Sequence, residues 1–267
     1  MKRREFLKTS SAAALIAAIP LPSGSTAEPK ADPVRELYEL RLYHLRRGPM
    51  QKRFDDFYRV AAIPALNRAG ISPVGVFNVL VGPDSPVMYV LLPHKSAESV
   101  VRANEHVHAD AEFLQAGAEF LNAPAINPSY NRVESSLLAA FEGFPGIEMP
   151  AGTAPKNQRI FELRTYESHS RKASQKKIQM FNQGEIAIFR RVGLTPVFFG
   201  ETIVGPRMPN LTYLLGFEDM ADREKKWSAF GADPEWQKLR SMPGYADTDI
   251  VSNISNLFLR ATSYSQI

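Results

Sequence analysis

The sequence of 267 residues contains no cysteine, and this absence excludes several kinds of chemistry. Without a thiol, the chain forms no disulfide, has no cysteine nucleophile, and cannot bind zinc or an iron–sulfur cluster through thiolates. It also lacks a serine nucleophile elbow, a phosphate-binding glycine loop and a dinucleotide-binding fingerprint. The remaining composition, 44% hydrophobic and 10% aromatic, is typical of a globular protein of one large or two small domains.

Positive charge is concentrated at the start of the chain. The formal net charge is +4, and residues 1–27 contain Lys2, Arg3, Arg4 and Lys8 against only Glu5. The rest of the chain is therefore close to neutral, and no dense run of Lys and Arg interleaved with aromatic residues occurs in it. This distribution predicts no nucleic-acid partner.

The same 27 residues resemble an export signal. Arg3 to Lys8 reads R-R-E-F-L-K, which resembles the twin-arginine pattern, and Ala12 to Ile19 is wholly apolar. Ser25, Thr26 and Ala27 are small, as a signal peptidase requires. The apolar run is too short to span a bilayer, and no later apolar run reaches about 18 residues. The resemblance implies a protein that is exported folded to the periplasm or the extracellular space, with no stable membrane span after cleavage.

The chain contains an internal repeat at an offset of 123 residues. At this offset Tyr38–Tyr43 aligns with Phe161–Tyr166, and the match continues without a gap through Gly70 and Gly193. Identities that occur in order at one offset indicate a tandem duplication. We predict repeats at 36–141 and 159–262, separated by a linker at 142–158 that is rich in glycine and proline.

Hydrophobic periodicity predicts the order β-α-β-β-α-β in each repeat. In the first repeat it predicts a strand at Tyr38–Tyr43, a helix at about 50–69, a hairpin at 73–92, a helix from Ser96 and a strand at 131–141. In the second it predicts a strand at Phe161, a helix at about 175–192, a hairpin at 197–217, a helix from Met220, a further helix capped by Asp233 and a strand at 254–261.

This element order is that of ferredoxin-like α+β folds. A four-stranded sheet with its helices on one face leaves the other face bare. Two such sheets in one chain are expected to cover each other and form an α/β barrel of the type that single-copy proteins build as dimers.

Several short segments resemble the NIPSNAP domain family. They are Tyr38-Glu39-Leu40-Arg41 with Tyr43, the copy at 161–166, the Val-Gly-Pro turns, and Ala-Asp-Pro-Glu-Trp at 232–236. The first repeat departs from this pattern with Ala111 and Phe113 in place of Pro234 and Trp236. The resemblance implies a dimeric α/β-barrel fold, in a superfamily that includes cofactor-independent monooxygenases and haem proteins. It also implies protein-interaction roles without a settled catalytic mechanism.

Strand alternation separates two sets of side chains at the start of each repeat. Tyr38, Leu40 and Leu42 share one face, opposite Glu39, Arg41 and Tyr43. If the apolar face packs on the helices, the polar face looks into the barrel or across the junction between repeats. The polar set either locks strand register as a Glu–Arg pair or binds a small anionic or carbonyl-bearing ligand. The candidate ligand-binding residues are Glu39, Arg41, Tyr43, Glu162, Arg164 and Tyr166, and no catalytic residue is assigned.

The histidines and tryptophans give weaker evidence for a metal or ligand site. The histidines are His44, His94, His106, His108 and His169. Because residues two apart on a helix point to different faces, we interpret His106 and His108 as surface or core residues and predict no metal site. A metal or haem site and general-base work are the alternatives for these histidines. Trp227, Phe230 and Trp236 are interpreted as core residues. We predict no cofactor, with haem as an alternative.

Two functions from different classes remain open. The first is non-catalytic binding of a small molecule or a partner protein by an exported, duplicated barrel, with a homo-oligomer allowed. The alternative is a cofactor-independent or haem-using monooxygenase of the dimeric α/β-barrel superfamily. Absorbance near the Soret region together with a cavity lined by Arg, Tyr and His would favour the enzyme, and a filled, dry barrel interior would favour binding.

Overall fold

The computed structural model of the protein describes residues 35–150, 152, 155 and 158–267. The predicted export signal, at residues 1–27, lies outside the described residues. None of the described helices is both long enough and apolar enough to cross a membrane.

The first repeat contains four strands and a set of short helices. In chain order these are β1 (Leu37–His44), α1 (Pro49–Phe57), a π-helical turn (Tyr58–Ala62), α2 (Ile63–Arg68), β2 (Gly75–Val81), β3 (Val87–His94), α3 (Ala97–His108), α4 (Ala111–Ala116), α5 (Ala118–Leu121) and β4 (Arg132–Ala140). The first three helical elements form one continuous helix, as its apolar spacing predicts. Gly70, with φ of 80°, follows this helix in the left-handed conformation that favours glycine.

The second repeat follows the same order. Its elements are β5 (Ile160–Glu167), α6 (Arg171–Met180), a π-helical turn (Phe181–Glu185), α7 (Ile186–Arg191), β6 (Thr195–Val204), β7 (Asn210–Phe217), α8 (Met220–Ala232), α9 (Pro234–Arg240), α10 (Asp247–Ile250) and β8 (Asn253–Ala261). Helix α9 has Asp233 as its N-cap, as predicted, since the Asp233 carboxylate accepts from the backbone N–H groups of Glu235 and Trp236.

The eight strands form one closed antiparallel barrel in the order β1-β3-β2-β8-β5-β7-β6-β4. The second half of this order repeats the first, so each strand lies opposite its copy. The two sheets join at both edges, β2 with β8 and β4 with β6. Closure leaves no unpaired sheet edge in the barrel. The prediction of a single α/β barrel built from two ferredoxin-like repeats is confirmed.

Both repeats contribute to the core inside the barrel. Tyr38 and Leu40 of β1 lie in one buried apolar cluster with Phe161 and Leu163 of β5. Phe77 and Phe161, on strands separated by β8, contact each other inside the barrel with ring centres 5.1 Å apart. Because the cluster draws on both halves of the chain, neither half can bury it alone.

The helices of each repeat pack on the outside of the barrel over a core of their own. The first outer core includes Tyr43, Phe54 and Tyr58, and the second includes Tyr166, Phe181 and Trp236. The segment predicted as a linker contributes to the second outer core, because Phe144 is fully buried there.

The expected direction of the polar strand face is wrong. Tyr38 and Leu40 face the barrel interior, whereas Tyr43 belongs to the core under the helices. The second repeat has the same arrangement, since Glu162 accepts hydrogen bonds from Arg223 and Trp227 of α8. The physical reason is that both faces of these strands are covered. The barrel interior takes the apolar set, while the helices provide partners for the charges.

Candidate functional site

A tight ion pair lies at the centre of the first repeat, between the sheet and the helices. The Nε and Nη2 atoms of Arg41 each donate to a carboxylate oxygen of Glu39 at 2.7 Å. Ser135 of β4 donates to the same carboxylate at 2.8 Å. This two-point geometry fixes the guanidinium and leaves Nη1 of Arg41 without a hydrogen-bond partner among the described residues.

A cavity of about 200 Å³ lies beside this ion pair. We call it the first-repeat cavity. Its polar lining residues are Arg41, Tyr43, Tyr58, Asn104, His108 and Tyr130. Phe57, Phe113 and Phe120 are among its apolar walls. Because Asn104 and His108 are exposed on α3, the cavity opens to solvent beside that helix.

The tyrosines of the cavity form a short hydrogen-bonded relay. The Tyr58 hydroxyl donates to the Tyr43 hydroxyl at 3.0 Å, and the rings meet edge to face. Tyr43 has no acceptor for its own hydroxyl proton among the described residues. The cavity therefore presents two donors, the Nη1 group of Arg41 and the hydroxyl of Tyr43.

The charge states at the site follow from burial and pairing. Burial alone would raise the pKa of Glu39, but His94 and Arg41 outweigh it and lower the pKa to about 2. The contact with His94 is electrostatic, because its Nε2 atom lies 3.9 Å from the carboxylate. Burial keeps the pKa of Tyr58 well above its ordinary value. At neutral pH the site thus holds one carboxylate, one guanidinium and a neutral phenol.

The corresponding space in the second repeat is filled. Trp227 stands where the first repeat has Asn104, and the Arg164 guanidinium carbon lies 4.8 Å from the centre of the Trp227 ring. Glu162 accepts from Arg164 at 2.7 Å, from Arg223 at 2.9 and 3.0 Å, and from the Trp227 indole at 2.9 Å. Its side chain is fully buried. The Glu162 carboxylate is therefore fully paired within the protein. Arg164 Nε is buried without a hydrogen-bond partner among the described residues, and Trp227 leaves no room for a ligand beside it.

The tyrosine pair is preserved in the second repeat by different residues. Tyr166, the copy of Tyr43, accepts from Tyr213 of β7 at 3.0 Å and from Arg164 at 3.2 Å. In the first repeat the donor comes from the π-helical turn, and Val90 stands at the strand position of Tyr213. All six predicted residues thus occupy equivalent places, and two of them, Arg41 and Tyr43, line the first-repeat cavity.

Sequence reasoning missed several residues that line the first-repeat cavity. Tyr58, Asn104 and Tyr130 were not singled out, and His108 was interpreted first as a surface or core residue. The available signal was the mismatch within the internal alignment, where the small Asn104 meets the large Trp227. Where one repeat has a smaller side chain than its copy, the packed core is left with space.

The remaining histidines do not line the first-repeat cavity. Buried His44 contacts Glu134 at 2.9 Å, His94 contacts Ser99 at 3.0 Å, and His106 and His169 are exposed. No group of three or more histidine, aspartate or glutamate side chains that could hold a metal ion occurs in the part of the chain that the structure describes. Trp236 and Phe230 are buried in the second outer core with Trp227 packed against them, which confirms their interpretation as core residues.

Solved structures share this architecture at low sequence identity. A candidate monooxygenase from Lactobacillus acidophilus NCFM is 9% identical, with a TM-score of 0.54 over 85% of this chain and 94% of that chain. A second candidate monooxygenase, from Fusobacterium nucleatum, is 7% identical, with a TM-score of 0.55 over 85% of this chain and 93% of that one. At such identity the similarity shows a common fold alone.

A single-domain structure is also similar in sequence. An uncharacterized NIPSNAP-like domain protein from Burkholderia xenovorans is 27% identical, with a TM-score of 0.37 over 41% of this chain and 90% of that one. No functionally curated protein matches the chain. The family model for NIPSNAP matches residues 38–137 and 161–266, one match in each repeat. These matches cover most of the sequence, and the chain therefore belongs to the NIPSNAP family.

Proposed function

We propose that the protein binds a small, planar, carbonyl-bearing molecule in the first-repeat cavity. The observation that carries this proposal is the contrast between two copies of one polar set. In the second repeat both carboxylate oxygens of Glu162 accept hydrogen bonds from protein groups, and Trp227 covers Arg164. In the first repeat Asn104 leaves the space open, and Arg41 and Tyr43 retain donors for a ligand.

The charge balance favours a carbonyl over a carboxylate. The Nε and Nη2 atoms of Arg41 are already bound to Glu39, so the two-point fork that a carboxylate prefers is occupied. The low pKa of Glu39 keeps its negative charge beside the cavity, and this charge repels a second anion. A neutral carbonyl oxygen needs only the Nη1 group of Arg41 and the Tyr43 hydroxyl.

The walls favour a flat apolar body. Phe57 and Phe120 are stacked with ring centres 4.0 Å apart, and Phe113 meets Phe57 edge to face. Tyr130 lies edge to face with Tyr43 at the cavity. Aromatic walls with a few convergent donors are the ordinary construction of a small-molecule site.

The test compares ligands that differ only in the carbonyl. Calorimetric titration with tetralone, a fused bicyclic ketone, should show binding, whereas tetralin, which has the same skeleton without oxygen, should bind at least about tenfold more weakly. Asn104→Trp copies the second repeat and should abolish tetralone binding with the fold retained. Val101→Trp, at a position 74% exposed on the same helix, is the matched control.

The proposal is wrong if tetralone binds Asn104→Trp as well as it binds the original protein. Equal affinity for tetralone and tetralin would instead remove the role of Arg41 and Tyr43. Circular dichroism of both tryptophan variants establishes that any loss of binding is local.

A second candidate function is oxygenation of the bound carbonyl compound without a cofactor. Two structural neighbours are described as candidate monooxygenases, and His108 lines the cavity. His108 Nδ1 contacts the Asn104 carbonyl oxygen at 2.8 Å, which leaves Nε2 of the neutral ring as an acceptor for a proton. Dioxygen would convert a CH₂ group next to the carbonyl into a second C=O, with release of one water molecule. Ketone-dependent oxygen consumption that His108→Gln abolishes would support this activity.

The cavity does not fit a haem. Its volume of about 200 Å³ is below the roughly 300–1,000 Å³ of pockets that hold drug-sized ligands and cofactors. We therefore assign the proposed binding to the protein side chains alone.

We further propose that the chain is exported folded by the twin-arginine route, on the basis of R-R-E-F-L-K at residues 3–8. Its ligand would then be a molecule of the periplasm or the extracellular space.

A further inference from the structure

A second cavity, of about 150 Å³, lies inside one end of the barrel. We call it the barrel-mouth cavity. The turns of both hairpins border it, through Pro83 in the first repeat and Pro206 in the second. It shares no lining residue with the first-repeat cavity. Leu40 lines one and the adjacent Arg41 lines the other, so the two cavities lie on opposite faces of β1.

The inner wall of this cavity is apolar and its rim is polar. Leu40 and Leu138 of the first repeat and Leu163 of the second form part of the wall. Arg207 and Tyr89 also line the cavity. An apolar wall below a small number of polar groups suits a ligand with an apolar body and a single polar head.

Arg207 is held at the rim in a conformation that other residues avoid. Its φ of 58° makes it the only non-glycine residue with positive φ in the described part of the chain. The Asn210 amide donates to the carbonyl oxygens of Pro206 and Arg207, both at 3.0 Å, and Thr202 donates to Asn210 at 2.6 Å. Backbone strain that is held in place by surrounding hydrogen bonds is typical of ligand-binding positions.

This arrangement occurs in one repeat only. The residues that align with Thr202, Arg207 and Asn210 are Val79, Asp84 and Val87, and valine cannot form the supporting hydrogen bonds. A turn required only to connect two strands would have no need of the additional side-chain network. The difference therefore indicates a role for Arg207 at the cavity.

The guanidinium of Arg207 keeps hydrogen-bonding capacity. Its Nη1 atom donates to Ser255 at 3.1 Å and lies 3.7 Å from Glu167, beyond hydrogen-bond distance. Nε and Nη2 have no partner among the described residues, and neither has the Tyr89 hydroxyl. Burial raises the pKa of Tyr89 to about 12, so this hydroxyl remains a donor at neutral pH.

The acidic group on the rim is compensated by its own partners. Glu134 lines the cavity, but it contacts His44 at 2.9 Å and Arg132 at 2.8 Å. Arg207 is therefore the charged group at the rim whose N–H donors are available to a ligand.

We propose that the barrel-mouth cavity binds a small monocarboxylate with a compact apolar body. The carboxylate accepts from Arg207 and Tyr89, and the body packs on Leu40, Leu138 and Leu163. The volume sets the size, because an apolar cavity of roughly 150 Å³ holds one benzene ring. The proposal is independent of the function proposed for the first-repeat cavity.

Benzoate is the probe, with benzyl alcohol and benzylamine as ligands of similar size and different charge. Calorimetric titration should show benzoate binding more tightly than either. Arg207→Gln should weaken benzoate binding at least about tenfold, because glutamine is neutral and too short to replace the guanidinium as a donor. Arg47→Gln, which removes an exposed positive charge elsewhere, is the matched control and should leave binding unchanged.

Two further variants separate this site from the first-repeat cavity. Tyr89→Phe should weaken benzoate binding with the ring retained, and Asn104→Trp should leave it unchanged. The proposal is overturned if benzoate does not bind, if benzylamine binds as tightly, or if Arg207→Gln and Arg47→Gln have equal affinities. A loss of benzoate binding in Asn104→Trp would assign the ligand to the other cavity and would also overturn it.

Discussion

Lys177 and Glu185 form a buried ion pair where the first repeat has only apolar residues. Their copies are Phe54 and Ala62. Both side chains are almost wholly buried, with Lys177 Nζ 3.2 Å from Glu185 and 3.4 Å from Asp247. Burial alone would lower the pKa of Lys177, but the carboxylates of Glu185 and Asp247 outweigh it and raise the pKa. Lys177 is therefore charged at neutral pH, and its charge depends on the carboxylates beside it.

Replacing one member of this pair should cost far more stability than replacing both. We expect Lys177→Phe to lower the free energy of unfolding by about 3–5 kcal/mol, because Glu185 is left buried without its counter-charge. The double variant Lys177→Phe with Glu185→Ala recreates the first-repeat residues and should recover most of that loss. Urea unfolding of both single variants and the double variant gives the coupling energy. Additive losses would contradict this account.

The sequence predicted which side chains share a strand face better than it predicted what each face contacts. The alternation in β1 correctly separated Glu39, Arg41 and Tyr43 from Tyr38 and Leu40. It could not tell which set faces the helices, because a strand covered on both sides has no solvent face to orient it. Nor could it locate the first-repeat cavity, which depends on the size of Asn104, a residue in another element.

Helix boundaries were predictable where a capping residue was recognised. Asp233 was identified as an N-cap, and α9 starts beside it. The first long helix of the second repeat begins at Arg171, earlier than the predicted start near residue 175. Its first turn contains Arg171 and Lys172, so hydrophobic periodicity gives no signal there. The missed signal was Ser170, whose hydroxyl accepts from the Ala173 N–H group at 3.2 Å.

The Ser170 cap can be tested with a conservative pair of substitutions. Ser170→Ala should lower the free energy of unfolding by about 1 kcal/mol, because it removes the acceptor for a free N–H group of the first turn. Ser170→Asp keeps an acceptor at this position and should retain the original stability. Equal urea midpoints for these two variants would show that the cap does not contribute.

The closed barrel makes the two repeats depend on each other for folding. The interior cluster includes Tyr38, Leu40, Phe161 and Leu163 from both halves, and two strand pairings join the halves. The sequence predicted this mutual burial from the repeat alone. It did not predict that the sheets join edge to edge, because hydrogen-bond register between distant strands leaves no local pattern.

Separating the repeats should therefore abolish independent folding. Fragments 35–150 and 158–267, expressed alone, should not be monomers with a cooperative thermal transition, because each exposes its half of the interior cluster. The first fragment ends at 150 and therefore contains Phe144, whose partners in the second outer core lie on the other fragment. Analytical ultracentrifugation and calorimetry of each fragment provide the measurement. Mixing the two should restore a cooperative transition, whereas a monomeric, cooperatively melting fragment would contradict the shared-core model.

Covalent linkage of the repeats has an evolutionary consequence. In a symmetric dimer every substitution occurs in both subunits, so a change that fills one pocket fills its twin. Within a fused gene, Trp227 could seal one half while Asn104 left the other open. One half could then serve as a scaffold while the other kept an open cavity for a ligand. The same freedom allows Arg207 to stand in one repeat where the other repeat has Asp84.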